Sequence, residues 1–399
     1  MSQESDSSPS RLTRLVQQIE PGPGEFRGVQ PPVHKASTVI FPNVQALRTW
    51  DWYDKERYTY GLHGTPTTVA LERRIAALEG GEHCMLFPSG LAAIAATDFA
   101  FLSAGDELLL PDNAYGPNKE VADDELKRWG ITSRIFDPMD LSSLRAELSE
   151  KTKLVWLEAA GSVTMEFPDL VGSVRTIREK APSAVIALDN TWGAGLAFNA
   201  FELDGTAGID VSVHALTKYP SGGGDVLMGS IVTRDRSLYK RIARTHAHAG
   251  YGVGANDVEL VSRSMASLPL RYAAQDEAGR RFAQWCVGRR EFKRVLHPSL
   301  PTSPGHEHWA KLCRAAAGLV TVEFDPNTPD ARVAAFVDRL KLFKIGWSWG
   351  GPVSLVAIYR AAGMRKKPTP YTGTLVRFCI GLESLGDLTG DVEQALAGM

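Results

Sequence analysis

The chain has 399 residues, 44% of them hydrophobic and 23% charged, a balance that excludes wholesale disorder. Lys plus Arg number 44 against 46 Asp plus Glu, a formal charge of −2 that gives no support to nucleic-acid or anionic-membrane binding. No apolar run approaches the roughly 20 residues needed to span a bilayer, and the polar start MSQESDSSPS is unlike a secretory signal.

At about 150 residues per domain, the length suggests two or three domains. Cys84, Cys286, Cys313 and Cys379 are far apart and form no CxxC pair, so the expectation is reduced thiols in a cytoplasm. The pairs His246/His248 and His306/His308 lack a third ligand at sensible spacing, and no metal site is expected.

In chain order, residues 1 to 10 read as a tail, Arg11 to Gln18 as a short helix, and Pro21 to Pro32 as an extended arm, because proline and glycine there exclude helix and central strand. Thr65-Pro66 is a helix start; Leu71, Ile75 and Leu78 recur at helical spacing, and Gly80-Gly81 ends the segment. Apolar runs at Glu107–Leu110, Leu154–Leu157, Val185–Leu188, Val211–Val213 and Val226–Val232 read as strands, with helical stretches such as Leu141–Leu148 and Leu170–Lys180 between them. This alternation implies an α/β unit with a largely parallel, buried sheet. Beyond Ser264 come long helical patterns, then β-like runs at Gly318–Phe324, Val353–Ile358 and Leu375–Ile380, a smaller α+β unit.

Chemistry-bearing residues sit on this scaffold at several points. Phe87-Pro88-Ser89-Gly90-Leu91 opens an apolar helix, so its free amides make either a phosphate cradle or a plain N-cap with a glycine turn. Asp189 ends the run Val185-Ile186-Ala187-Leu188, where ligands collect in open sheets, though it could equally cap a turn. Lys218 follows a buried strand; desolvation would make its amine a nucleophile, whereas a surface lysine would begin a loop. Arg377 lies inside an apolar β-run and needs an anion, either a substrate carboxylate or an internal salt-bridge partner. Together, a phosphate cradle, a strand-end Asp, a lysine about 30 residues later and a buried arginine compose a pyridoxal phosphate site.

With Tyr60-Gly61 before Gly64-Thr65, Leu78-Glu79-Gly80-Gly81, Asp189-Asn190-Thr191-Trp192, Thr217-Lys218-Tyr219, Ser348-Trp349-Gly350-Gly351 and Ile380-Gly381-Leu382-Glu383, the sequence resembles the Cys/Met-metabolism family of pyridoxal-phosphate enzymes from Gly28 to Gly386. The resemblance implies a fold type I, aspartate-aminotransferase-like α/β architecture. It divides the chain into an arm reaching the neighbouring subunit (1–64), a cofactor-binding α/β domain (65–264) and a C-terminal α+β domain (265–399). It also implies a homotetramer of tight dimers.

Carried over by position, Lys218 resembles the lysine that binds pyridoxal 5'-phosphate covalently and shuttles the α-proton. Asp189 resembles the partner of the pyridine nitrogen, and Tyr115 the tyrosine stacked on the ring. Gly90, Leu91 and Thr217 match phosphate contacts, and Tyr60 matches a contact donated by the neighbouring subunit to cofactor and substrate. Ser348, Trp349 and Arg377 match the substrate site. Where the family usually has arginine, this chain has Leu62; where many relatives have serine, it has Ala215. Losing a charge-assisted hydrogen bond of about 1.5–3 kcal/mol corresponds to about 10- to 150-fold weaker cofactor binding, with Arg57 or His63 as possible substitutes.

Trp347, and the segment Glu158-Ala159-Ala160-Gly161-Ser162-Val163-Thr164-Met165-Glu166, resemble the family's β-lyases rather than its γ-enzymes. The implied reaction is carbon–sulfur β-elimination of L-cystathionine to homocysteine, pyruvate and ammonia, with cystine or S-substituted cysteines as other candidate substrates. The alternatives are γ-lyase or γ-synthase chemistry, racemisation, or a degenerate cofactor-binding relative, the last suggested by Leu62 and Ala215.

Overall fold

The computed structural model describes residues 10–16, 28–205 and 208–399. The polar tail before Ser10 and the proline-rich stretch Pro21 to Arg27 lie outside the described residues, as do Gln17 and Gln18; Arg11–Val16 is helical.

Among the described residues, twelve strands form two sheets. The first runs β1 (His83–Phe87), β2 (Glu107–Pro111), β3 (Thr132–Phe136), β4 (Thr152–Glu158), β5 (Val185–Asp189), β6 (Val211–His214) and β7 (Gly229–Thr233) along the chain. In space the order is β1-β7-β6-β5-β4-β2-β3, and β7 runs opposite to the other six. The second sheet comprises β8 (Phe292–Leu296), β9 (Leu319–Phe324), β10 (Lys344–Ile345), β11 (Leu355–Arg360) and β12 (Thr374–Cys379), ordered β10-β11-β12-β9-β8 and mainly antiparallel.

The central strands of the first sheet are buried on both faces, and β5 reads Val-Ile-Ala-Leu up to its terminal Asp189. Ile186 and Leu188 join one hydrophobic cluster, while Val185 and Ala187 join another on the opposite face with Leu154, Trp156, Val211 and Val213. Leu188 is fully buried, so truncation to Ala should cost about 2–5 kcal/mol.

The helix Pro66–Glu79 starts at a reciprocal cap. The Thr68 amide donates to the Thr65 hydroxyl and the Thr65 amide to the Thr68 hydroxyl at 2.8 Å, and Gly80 stops the helix at φ 82°.

Two sequence expectations need correction. The run Val226–Val232 is strand only from Gly229, because Met228 turns its backbone onto Thr217. Strands β1, β3, β8 and β10 lie outside the expected runs; β3 is an edge strand whose Thr132, Ser133 and Arg134 face outward far enough to break the apolar pattern.

Candidate active site

Lys218 stands on a tight turn just after β6. Its amide donates to the Ala215 carbonyl at 3.0 Å, and the Thr217 amide to the Met228 carbonyl at 3.1 Å. The Thr217 hydroxyl accepts from the Met228 amide at 3.1 Å and reaches the Met228 carbonyl at 3.2 Å, which pins the turn to the start of β7. Gly350, at φ 77°, packs on the turn so tightly that a Cβ would stand 2.8 Å from the Tyr219 nitrogen.

The Lys218 ammonium donates to Ser348 Oγ at 3.0 Å and lies 5.4 Å from the centre of the Trp349 ring. Burial and then the charge of Arg377 bring its pKa down to about 8, against the opposing pull of Cys379 and Asp189. This is a mostly buried amine that loses its proton readily, not a solvated loop lysine.

Asp189 closes β5. Its carboxylate accepts from the Thr191 amide at 3.0 Å, and burial raises its pKa against the opposing Thr191 hydrogen bonds and the charges of His214 and Lys218. Below it, on the other face of the sheet, lies a network anticipated only as the Leu78-Glu79-Gly80-Gly81 motif. Glu79 Oε1 meets His214 Nδ1 at 2.8 Å, while Glu79 Oε2 accepts from Ser212 Oγ at 2.5 Å and from Asn190 Nδ2 at 3.0 Å. Burial would raise the Glu79 pKa, yet His214, Ser212 and Asn190 together bring it below the ordinary carboxylate value. The turn carrying Asp189 and Asn190 is thus tied to the helix Pro66–Glu79.

The helix Gly90–Phe101 begins beside this turn, capped by Ser89, whose hydroxyl accepts from the Ala92 amide at 3.0 Å. Its first amides, those of Gly90 and Leu91, have no acceptor within the helix. The Thr191 hydroxyl accepts from the Ala215 amide at 2.9 Å and brings the β6 exit under this helix end.

Arg377, in the middle of β12, is only 4% exposed. One Nη1 hydrogen bond goes to the Ser162 carbonyl at 2.9 Å, the guanidinium lies 5.2 Å from the Tyr359 ring, and Nε has no partner. No ion pair joins Arg377 to a carboxylate among the described residues, so the internal salt-bridge reading fails. A buried cation with a bare donor fits an incoming carboxylate.

Tyr115 follows β2 through Asp112-Asn113-Ala114; its amide donates to Glu158 Oε2 at 2.8 Å. Burial, then Asp189, Glu158 and Glu120, raise the pKa of its phenol, while Arg377 opposes them. Trp349 packs edge-on against Tyr219 at 5.5 Å, whereas Trp347 is 85% exposed.

Tyr60 is not brought to this group by any hydrogen bond or ring contact among the described residues. It is half exposed, bridges to Thr38 and meets the His63 ring at 6.1 Å. Of the two candidates to compensate for Leu62, His63 is bound to the Thr59 hydroxyl at 3.0 Å and kept less basic by burial and Lys55, while Arg57 is largely exposed beside Asp54 at 3.5 Å. The other residues missed from sequence are Glu158, which ends β4 as Asp189 ends β5, and Ser162, whose carbonyl holds Arg377. Glu158 was within reach, since Leu154-Val155-Trp156-Leu157-Glu158 has the same apolar-run-then-acid pattern as Val185–Asp189.

The residues present suit a ligand with an anionic phosphate for the amides of Gly90 and Leu91, a basic ring nitrogen for Asp189 and an aldehyde for the Lys218 amine. The fold and site define a pyridoxal 5'-phosphate enzyme. The model of the family described as Cys/Met metabolism PLP-dependent enzyme matches residues 13–397, and the chain belongs to that family.

It is 36% identical to a putative cystathionine beta-lyase of Rhizobium johnstonii over 96% of this chain and 95% of that protein. It is 35% identical to the cystathionine beta-lyase of Salmonella typhimurium over 92% of each. The crystal structure of metB from Corynebacterium glutamicum superposes with a TM-score of 0.88 at 26% identity, covering 98% of both chains. The architecture is fold type I.

Proposed function

We propose that the protein is a carbon–sulfur β-lyase cleaving L-cystathionine, with water, to L-homocysteine, pyruvate and ammonia. In this reading Arg377 and Ser348 hold the α-carboxylate, and the Lys218 amine removes the α-proton. Asp189 and Tyr115 would hold pyridoxal phosphate, which when bound would supply an electron sink for the pair left at Cα. The Cβ–S bond then breaks, and Lys218 or the Tyr115 phenol, whose raised pKa keeps its proton, protonates the departing thiolate.

The observation that carries the reading is the apolar ring beside the amine. Trp349, next to Ser348, lies 5.4 Å from the ammonium, while Trp347 on the other side of Ser348 is exposed. That ring suits a thioether and is not itself a base that could remove a proton at Cβ, which γ-chemistry requires. The two bacterial relatives named cystathionine beta-lyase support the same choice.

Product analysis with cystathionine, cystine and homoserine derivatives tests it. Pyruvate without 2-oxobutyrate from cystathionine is the expected result, and 2-oxobutyrate as main product overturns it.

We further propose a cytoplasmic homotetramer built from dimers, in which the arm of residues 1–64 carries Tyr60 to the neighbour's site. The half-exposed Tyr60, and Ile40 exposed at 92% on the same stretch, support a partner there. The four cysteines form no disulfide, and no helix among the described residues is long and apolar enough to cross a membrane. Light scattering at micromolar concentration checks the assembly; a monomer would rule it out.

A further inference from the structure

Two acids end adjacent strands of the first sheet, and only one has a place in the proposed chemistry. Glu158 and Asp189 are direct register partners across β4 and β5. Strand side chains alternate, and Leu154 and Trp156 share a cluster with Val185 and Ala187, so both acids face the same side. Strand spacing puts their backbones about 4.8 Å apart. Glu158 is 8% exposed and has no ion-pair partner among the described residues. The two nearby cations are taken: Lys119 Nζ donates to the carbonyls of Asp112 and Met364, and Arg365 pairs with Glu166 at 2.5 Å. Glu158 does hold the Tyr115 amide, at 2.8 Å.

We propose that Glu158 is a positioning residue of this site: as a neutral carboxylic acid it fixes Tyr115 through the backbone and leaves Asp189 the one anion of this strand-end pair. The proposal rests on the assignment of Lys218, Asp189 and Tyr115 to the cofactor. Burial and then Asp189 push the Glu158 pKa well above the ordinary carboxylate value, against the Tyr115 amide, Lys119 and Arg365. Ionising Glu158 as well would set two anions side by side in a buried site, so one of the pair keeps its proton.

The neutral amide isostere separates this role from that of a charged base. In the holoenzyme, Glu158→Ala should lower kcat about 100-fold, the cost of a misplaced group, with KM changed by less than about threefold and the borohydride-reducible adduct at Lys218 retained. Glu158→Gln, whose carbonyl can accept the same Tyr115 amide, should recover kcat to within about threefold of wild type. It should also leave unmoved the pH at which the lysine-bound cofactor's absorbance titrates.

A Glu158→Ala enzyme as fast as wild type overturns the positioning role. A Glu158→Gln enzyme as slow as Glu158→Ala, or with a displaced titration, overturns the neutral charge state and decides the matter even if Glu158→Ala does not fold. A wild-type protein that forms no adduct at Lys218 is a different failure, that of the cofactor assignment itself.

Discussion

Gly90 and Ala215 are in van der Waals contact across the mouth of the site: a Cβ added to Gly90 would stand 2.6 Å from the Cβ of Ala215. The contact presses the first turn of the helix Gly90–Phe101 onto the chain leading to Lys218, and it exists only because position 90 lacks a side chain. Gly90→Ala must push the two apart and turn the amides of Gly90 and Leu91 away. The expected outcome is at least about tenfold weaker pyridoxal phosphate binding, the loss of about one hydrogen bond, measured by titrating the apoprotein.

The amine of Lys218 should govern cofactor capture. With a pKa near 8, it is increasingly protonated and non-nucleophilic as pH falls below that value. Attachment of pyridoxal phosphate to the apoprotein should therefore slow about tenfold per pH unit below about 8 and level off above it. Stopped-flow absorbance follows this directly. Lys218→Ala should bind the cofactor without a reducible adduct, and a visible-edge band that survives this substitution would contradict the assignment.

Arg377 already has the Ser162 carbonyl on one side and a bare Nε on the other. Arg377→Ala should lower kcat/KM for cystathionine about 100-fold or more, mainly through KM, consistent with the about 2–5 kcal/mol lost when one partner of a buried charge pair is removed. Arg377→Lys should recover only part of this, because an ammonium lacks the planar fork. Steady-state kinetics across the three proteins are the check.

Acid should unfold this protein through two histidines that are not part of the site. His246 packs against Phe87 and Tyr251 and is held to a pKa of about 4; His297 is buried beside Ser299 and held to about 3, burial being the leading cause in both. Both folded pKa values lie below the unfolded value of about 6.5, so in acid the unfolded chain binds more protons and stability falls as pH drops through that value. The loss approaches about 1.4 kcal/mol per pH unit for each histidine until the folded pKa is reached. Urea midpoints measured at about pH 7 and about pH 5 should show it, and His297→Gln should reduce the difference.

Much of this site was legible because its main groups interrupt apolar runs. Asp189 after Val185–Leu188 and Arg377 inside Leu375–Ile380 are polar residues where burial demands a reason, and Ser89-Gly90 is a helix start with a physical signature. The companions of these residues were not legible, since they depend on register and long-range closure. The Glu158–Asp189 pairing exists only once β4 lies beside β5, and the carbonyl that accepts from Arg377 comes from Ser162, 215 residues earlier. Strands β1 and β10 escaped for a local reason: one runs straight into the Pro88-Ser89-Gly90 turn, and the other has only two residues.

The hydroxyl of Ser348 receives the free Lys218 ammonium. Accepting from the ammonium leaves the serine's own proton free, so in the proposed reaction the same hydroxyl would donate to a substrate carboxylate beside Arg377 while still receiving the amine. One side chain therefore offers a lone pair in one direction and a proton in the other. Berth for the amine and donor to the amino acid are, at this position, the two ends of one hydroxyl.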